Sequence, residues 1–202
     1  ANLKVATLGT LGLIAKGQQH INTLTTPDPI TLNKILNDLY LEGFSHIVME
    51  VSSHAIDQYR IEDIKFKIAC FTNITPEHLD YHGTFENYKN TKAKLFQLLR
   101  KGSKAIINID DDFGEQLIRS LPIESFSFSR KHKIGTYYKN IEFSTQGISG
   151  TISSLNEKIK IQSKLIGDFN SENILAAVAI TSALNVKAKA IENGIKECPN
   201  IP

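Results

Sequence analysis

Short apolar runs rich in β-branched residues alternate with longer segments whose apolar residues return every three or four positions. That alternation predicts an α/β fold, a mostly parallel sheet flanked by helices. Strands are expected at 3–8, at 46–53 (HIVMEVSS, apolar up to its serines except for Glu50), at 68–74 and at 105–109. Consecutive parallel strands are commonly neighbours, so 46–53 and 68–74 are expected to end side by side at one carboxyl edge. A first helix should begin at a Thr31 cap, turn Leu32, Ile35, Leu36 and Leu39 inward and end at Gly43. A second, capped by Thr84 and stopped by Gly102, carries Phe85, Tyr88, Leu95, Phe96 and Leu99 on one stripe, with Lys92 inside that stripe and Lys94 pointing away. The triplet Asp110, Asp111, Asp112 reads as the cap of a third helix with Phe113, Leu117 and Ile118 inward. Another helix should run from GDFN at 167–170 to Ala183, with Ile174, Ala177, Val178 and Thr181 available to pack, and a last one spans 188–197. Short alternating stretches at 125–128, 141–144, 150–153 and 159–165 predict a small antiparallel β excursion near 125–165.

Composition narrows this picture only modestly. A chain of 202 residues can bury a full core and is most simply one domain, spanning 1–202. The net charge of +2 and scattered basic residues, with Arg130, Lys131, His132 and Lys133 as the local run, argue against a nucleic-acid partner. No apolar run reaches the roughly 20 residues of a membrane span, and the first residues lack a signal pattern. Cys70 and Cys198 form neither a disulfide framework nor a metal spacing, which suits a reducing cytoplasm. A monomer is the simplest expectation.

The densest chemistry lies in FTNITPEHLDYHGTFENYKNTKAKLFQLL at 71–99, whose polar loop carries Glu77, His78, Asp80 and His82. A lysine on a core-facing stripe must reach for solvent, find a partner or lose its charge. Lys92 is therefore either a stem packed on the core with its head in water or a partly neutral amine able to form an anionic carbamate with carbon dioxide. Glu50, alone in an apolar strand, calls for a cation, and Mg²⁺ is a natural one; a paired or solvated carboxylate is the plainer reading. Ser52, Ser53 and His54 follow at the strand end, where ligands collect in open parallel sheets. Thr25 and Thr26 read as a turn, and His54, Asp80 and His82 either order their loop or act directly.

TNITPEHLDYHGTFENYKNTKAKLF, together with LTTPD at 24–28, MEVSSHAIDQYR at 49–60 and GDFNSENILAAVA at 167–179, resembles the central domain of the Mur ligase family, most closely its tripeptide-forming MurE branch. The resemblance runs through most of the chain. It implies an ATP-dependent amide ligase that adds a third amino acid to UDP-MurNAc-L-Ala-D-Glu in cytoplasmic peptidoglycan synthesis; that amino acid is expected to be meso-diaminopimelate on its breadth of occurrence alone, with L-lysine as the alternative. It further implies Glu50 and His78 as magnesium ligands, Lys92 as a catalytic, carbamylated lysine supplying a further metal ligand, and His78 in a catalytic role. By the same resemblance Thr25, Thr26, Ser52, Gln58 and Arg60 bind the muramyl dipeptide, while Asn170, which could equally be a cap, and Asn173 meet the ATP adenine. The sequence contains no G-x-x-x-x-G-K-[ST] phosphate loop; GTLGLIAKG at 9–17 has the glycines and a lysine at other spacings. The expectation is a central domain without its first strand, its phosphate loop and its N- and C-terminal neighbours, inactive by itself. Two other functions fit the residues: a metallohydrolase built on His54, His78, Asp80, His82 and a carbamylated Lys92, and a noncatalytic binding module.

Overall fold

The computed structural model describes residues 3–15 and 24–199. In chain order the elements are β1 (Val5–Gly9), β2 (Gly12–Ala15), α1 (Pro29–Leu41), β3 (His46–Met49), α2 (Ser53–Asp57), β4 (Phe66–Phe71), α3 (Leu79–His82), α4 (Phe85–Lys94), a 3₁₀ turn (Leu95–Leu98), β5 (Leu99–Asn108), α5 (Asp112–Ser120), β6 (Glu124–Ser129), β7 (Thr136–Ser144), β8 (Gly147–Ser154), β9 (Glu157–Ser163), α6 (Asp168–Ala183) and α7 (Ala188–Glu197). The chain divides into two compact units, residues 1–65 with 77–98 and residues 66–76 with 99–202.

In the first unit β1 lies between an antiparallel β2 and a parallel β3. Residues 9–12 of the glycine-rich stretch make the β1–β2 hairpin turn, pairing Gly9 with Gly12. Helix α1 buries Leu32, Ile35 and Leu39. Its cap is Asp28, whose carboxylate accepts from the Ile30 and Thr31 amides at 3.0 Å with Pro29 opening the helix. The cap expected at Thr31 thus lies three residues upstream, because a proline fits the first helical position at no cost in hydrogen bonds.

The second unit is a six-stranded sheet of order β4-β5-β6-β7-β8-β9. Strands β4 to β7 are parallel, and β7, β8 and β9 are antiparallel, so the predicted excursion is the continuation of one sheet. Phe128, Ile148, Ile152 and Ile159 on the strands meet Leu175 and Val178 of α6 in a core from which water is almost wholly excluded. Ala177, expected inward, is exposed, and Leu175 and Ala179 fill the packing face instead. Gly114 lets α5 approach β5: a Cβ there would stand 1.8 Å from the Asn108 carbonyl oxygen.

Two expectations fail for readable reasons. Strand β3 pairs with β1 while β4 pairs with β5, so the runs at 46–53 and 68–74 belong to different sheets and are not ladder neighbours among the described residues. The helix expected to reach Gly102 ends at Lys94; the apolar residues beyond it form a 3₁₀ turn and the first residue of β5. Strand β5 pairs Phe66 with Leu99 and Ile68 with Lys104, leaving three extra residues to bulge around Gly102.

Candidate active site

All but two of the candidate site residues fall in the first unit, on the turn after β1, the loop before α1, the end of β3, α2 and the α3–α4 segment. Glu50 follows the last residue of β3, and its amide still donates to the Leu8 carbonyl at 2.8 Å, which fixes the backbone from which its side chain springs. The carboxylate lies over Gly9 and accepts at Oε2 from the Thr10 amide at 3.0 Å and the Thr10 hydroxyl at 2.7 Å. Because the Thr10 hydrogen is given to Glu50, Thr25 donates in the 3.3 Å hydroxyl pair between the two threonines. Among the described residues Oε1 of Glu50 has no hydrogen-bond partner. A carboxylate so oriented, with one oxygen open, suits Mg²⁺, which takes one or two carboxylates and fills its remaining positions with water and substrate oxygens.

Thr26 is almost fully buried: its hydroxyl donates to the Glu50 carbonyl at 2.9 Å and accepts from the Ser52 amide at 3.1 Å. The Ser52 hydroxyl caps α2 by accepting from Ala55 N at 3.2 Å. Arg60 donates through Nη1 to the Thr26 carbonyl at 3.0 Å and through Nε to Gln58 Oε1 at 3.0 Å, and its Nη2 reaches the same oxygen. The five residues expected to bind the dipeptide are therefore joined in one polar network beside Glu50, in which Thr26, expected to touch substrate, is instead buried and holds the Glu50 and Ser52 backbone. Gln58 and Arg60 are brought together by a Schellman ending of α2, in which the Arg60 amide donates to Ala55 and the Tyr59 amide to Ile56. That ending places Tyr59 at φ 57, a left-handed conformation that glycine usually takes.

A second cluster joins α2 to the α3–α4 segment. His78 occupies the cap position of α3 at φ 57, exposed, with its ring 4.8 Å from that of His54. His54 also faces Tyr81 at 4.2 Å and His82 at 5.6 Å. His82 is buried, its Nε2 3.0 Å from the Ser53 hydroxyl, and burial followed by the nearby His54 holds its imidazolium below the ordinary range. Asp80 is exposed. Lys92 is half-buried, with Nζ 5.3 Å from the Tyr88 ring centre, and Tyr88 also faces His78 at 6.2 Å. Burial pushes the Lys92 ammonium down and Glu77 opposes that shift. Lys94, 3.9 Å from Asp57, lines with Tyr81, His82, Asn87 and Thr91 a polar pocket of about 270 Å³.

Among the described residues no group of three or more His, Cys, Asp or Glu side chains could hold a metal ion. Asn170 and Asn173 belong to the second unit. Asn170 is buried, its Nδ2 donating to the Ile166 carbonyl at 2.7 Å and its Oδ1 accepting from Asn173 at 3.3 Å, while the α6 cap position falls to Gly167. The Asn170 amide is thus committed to holding the loop before α6, and Asn173 is exposed. The basic run at 130–133 is a turn secured by Asp110, which accepts from the Arg130 and Lys131 amides, while Arg130 pairs with Asp168 at 2.6 Å. Sequence reasoning missed Thr10, Asp57 and Tyr81; Gly9, a glycine at a strand end where the Glu50 carboxylate approaches closely, was the signal that could have pointed to the turn carrying Thr10.

A family model described as the Mur ligase middle domain matches residues 1–181. The chain is 36% identical over 208 residues to the UDP-N-acetylmuramoyl-L-alanyl-D-glutamate--2,6-diaminopimelate ligase of Geobacter metallireducens, covering 100% of this chain and 41% of that protein. A solved structure of a UDP-N-acetylmuramoyl-L-alanyl-D-glutamate--2,6-diaminopimelate ligase superposes with a TM-score of 0.87 at 27% identity, over 99% of this chain and 42% of that one. The MurF ligase of Thermotoga maritima, solved in complex with ADP, shares the fold at a TM-score of 0.71 and 17% identity, over 100% of this chain and 43% of its own. The chain thus spans about two fifths of the length of the relatives it matches.

Proposed function

Because this chain belongs to the Mur ligase family, we propose that it is the central part of an ATP-dependent amide ligase that adds meso-diaminopimelate to UDP-MurNAc-L-Ala-D-Glu in peptidoglycan synthesis. The observation that carries the reading is the match, over all of this chain and about two fifths of the relative, to a diaminopimelate ligase, and the polar network that links Thr25, Thr26, Ser52, Gln58 and Arg60 to Glu50 agrees with it. ATP activates the D-glutamyl carboxylate as an acyl phosphate, the amine of the incoming residue attacks it, and ADP and phosphate leave. Arg60 and the Ser52 hydroxyl orient the dipeptide by donating to its oxygens, and the Thr25 oxygen accepts from one of its N–H groups. On this reading the ligation is a cytoplasmic reaction.

Glu50 and His78 would hold magnesium together with a carbamylated Lys92. Magnesium supplies positive charge that lets phosphoryl and carboxylate oxygens approach each other. The lowered Lys92 pKa supports the carbamate, since only the neutral amine combines with carbon dioxide and burial raises its share. Tyr88, packed under Lys92, keeps that amine from swinging into bulk water. The His78 side chain makes no capping bond to α3, and its exposed ring is on the surface where a ligand could reach it. Asn170 and Asn173 would meet adenine at the start of α6, Asn173 by direct contact and Asn170 by bracing it.

The test is ligation by the full-length protein, with UDP-MurNAc-L-Ala-D-Glu, Mg-ATP and either meso-diaminopimelate or L-lysine, read by product mass and by phosphate release. Stoichiometric ADP and the diaminopimelate tripeptide are expected. Preference for lysine would correct the third residue, and hydrolysis without ATP would overturn the ligase reading.

A further inference from the structure

The bonds of Asp57, Tyr81, Gln58 and Arg60 run in one direction. An ionised carboxylate only accepts, so the Tyr81 hydroxyl, 3.0 Å from Asp57 Oδ2, gives its hydrogen to Asp57. Its oxygen is then an acceptor, and Gln58 Nε2 donates to it at 3.2 Å. With its amide turned that way, Gln58 presents Oε1 to Arg60, whose Nε lies 3.0 Å away. Arg60, filled on one edge by Gln58, reaches the Thr26 carbonyl with Nη1 and is left with one orientation. Were Tyr81 unable to accept, the glutamine amide could flip and turn its NH₂ toward the guanidinium, setting donor against donor.

We infer that Asp57 and Tyr81 are positioning residues that fix the Gln58 amide and, through it, the Arg60 guanidinium on which the muramyl dipeptide docks. This rests on the proposed role of Gln58 and Arg60 in dipeptide binding. The two positioning residues come from different elements, α2 and α3, so the relay also ties the His78-bearing segment to the dipeptide surface. The Asp57–Lys94 pair at 3.9 Å is exposed and adds little. The Tyr81 ring packs on His54 at 4.2 Å and His82 at 4.8 Å, and Tyr81→Phe keeps that packing while deleting the hydroxyl.

The experiment measures steady-state ligation by the full-length enzyme carrying Tyr81→Phe, Asp57→Ala, Asp57→Asn, Gln58→Ala, Arg60→Ala and the Gln58→Ala/Tyr81→Phe pair, with melting curves as the check on folding. For Tyr81→Phe and Asp57→Ala the KM for UDP-MurNAc-dipeptide should rise about 3- to 10-fold, with kcat within about 2-fold and KM for ATP unchanged. Asp57→Asn, which retains an acceptor, should recover most of the loss seen in Asp57→Ala. The double variant should be no worse than Gln58→Ala alone, since Tyr81 acts through Gln58. An unchanged dipeptide KM in both Tyr81→Phe and Asp57→Ala, or an additive double variant, overturns the inference while an Arg60→Ala effect leaves the dipeptide surface standing. If Arg60→Ala also leaves that KM unchanged, the assignment of the surface falls and the inference with it.

Discussion

Replacing Gly9 with alanine should separate stability from activity. The new Cβ would stand 2.6 Å from Glu50 Cδ and 2.9 Å from Cγ and Oε1, so the carboxylate must retreat by about 0.8 Å or more to reach ordinary contact. Glu50 is exposed, and its side chain can rotate toward solvent. That movement surrenders the two bonds from Thr10, worth about 1 kcal/mol each at most when solvent can replace them. Against this, alanine in place of glycine at a strand end recovers about 0.5–1 kcal/mol of backbone entropy. The net change runs from about 1 kcal/mol gained to about 1.5 kcal/mol lost, a melting shift of a few degrees at most. A metal ligand tolerates only about 0.2 Å, so the same movement should weaken the magnesium dependence of ligation by about 10- to 100-fold. The assay is a Mg²⁺ titration of ligation by the full-length variant beside its melting curve. An unaltered magnesium requirement would refute the role of Glu50, and a large melting loss would refute the claim that Glu50 moves cheaply.

Lys92→Ala should reduce ligation at least about 100-fold, and acetate or formate should restore part of it by standing in for the carbamate; a fully active variant would sink that assignment. Burial pushes the Cys70 thiol up to about 12, which leaves about one molecule in ten thousand as thiolate at pH 8. Cys70 should therefore resist iodoacetamide until the chain is denatured, as peptide mass mapping would reveal; rapid native labelling would contradict it. His82 is held below its ordinary value by burial and His54, with His78 acting in the same sense and Asp57 and Asp80 opposing. The unfolded chain takes up that proton first, so stability is complete above about pH 6.5 and declines as pH falls through the folded value. Urea midpoints between pH 5 and 8 should show this slope, and His82→Gln should flatten it; an equal slope in the variant would reject the explanation.

How much of this was legible in the chain depended on element length. Strands β4 to β9 and helices α1, α4, α5, α6 and α7 announced themselves because each has enough residues for a period to show. Strand β2 has four residues, α2 five and α3 four, too few to repeat a pattern, and all three were missed; β1 and β3 are as short and were legible only as unbroken apolar runs, not by period. The apolar residues after Lys94 continued the helical stripe, yet the same side chains serve a 3₁₀ turn, and the polar start of β5 (LRKGS) offers no strand signal. A hydrophobic run also says that a strand exists without naming its neighbour, which is why β3 and β4 were paired in expectation and fall in separate sheets.

The site divides in the same way. Glu50 and Lys92 were legible because each is a charge in an apolar pattern, and such a charge must find compensation. The residues that hold the neighbouring polar groups were not, because Thr10 on a turn and Tyr81 on a four-residue helix carry ordinary hydroxyls that only their partners, Glu50 and Asp57, make informative. Thr26 shows the limit most sharply: in sequence it is half of a threonine pair before a proline, and in the fold it is a buried hydroxyl that joins the Glu50 carbonyl to the Ser52 amide. Such a bridge cannot be exchanged for valine without stranding both backbone groups, although valine would fill the same space. The polar residues of this unit are therefore constrained through the main chain they hold, and the network around Glu50 takes its shape from Thr26 and Gln58.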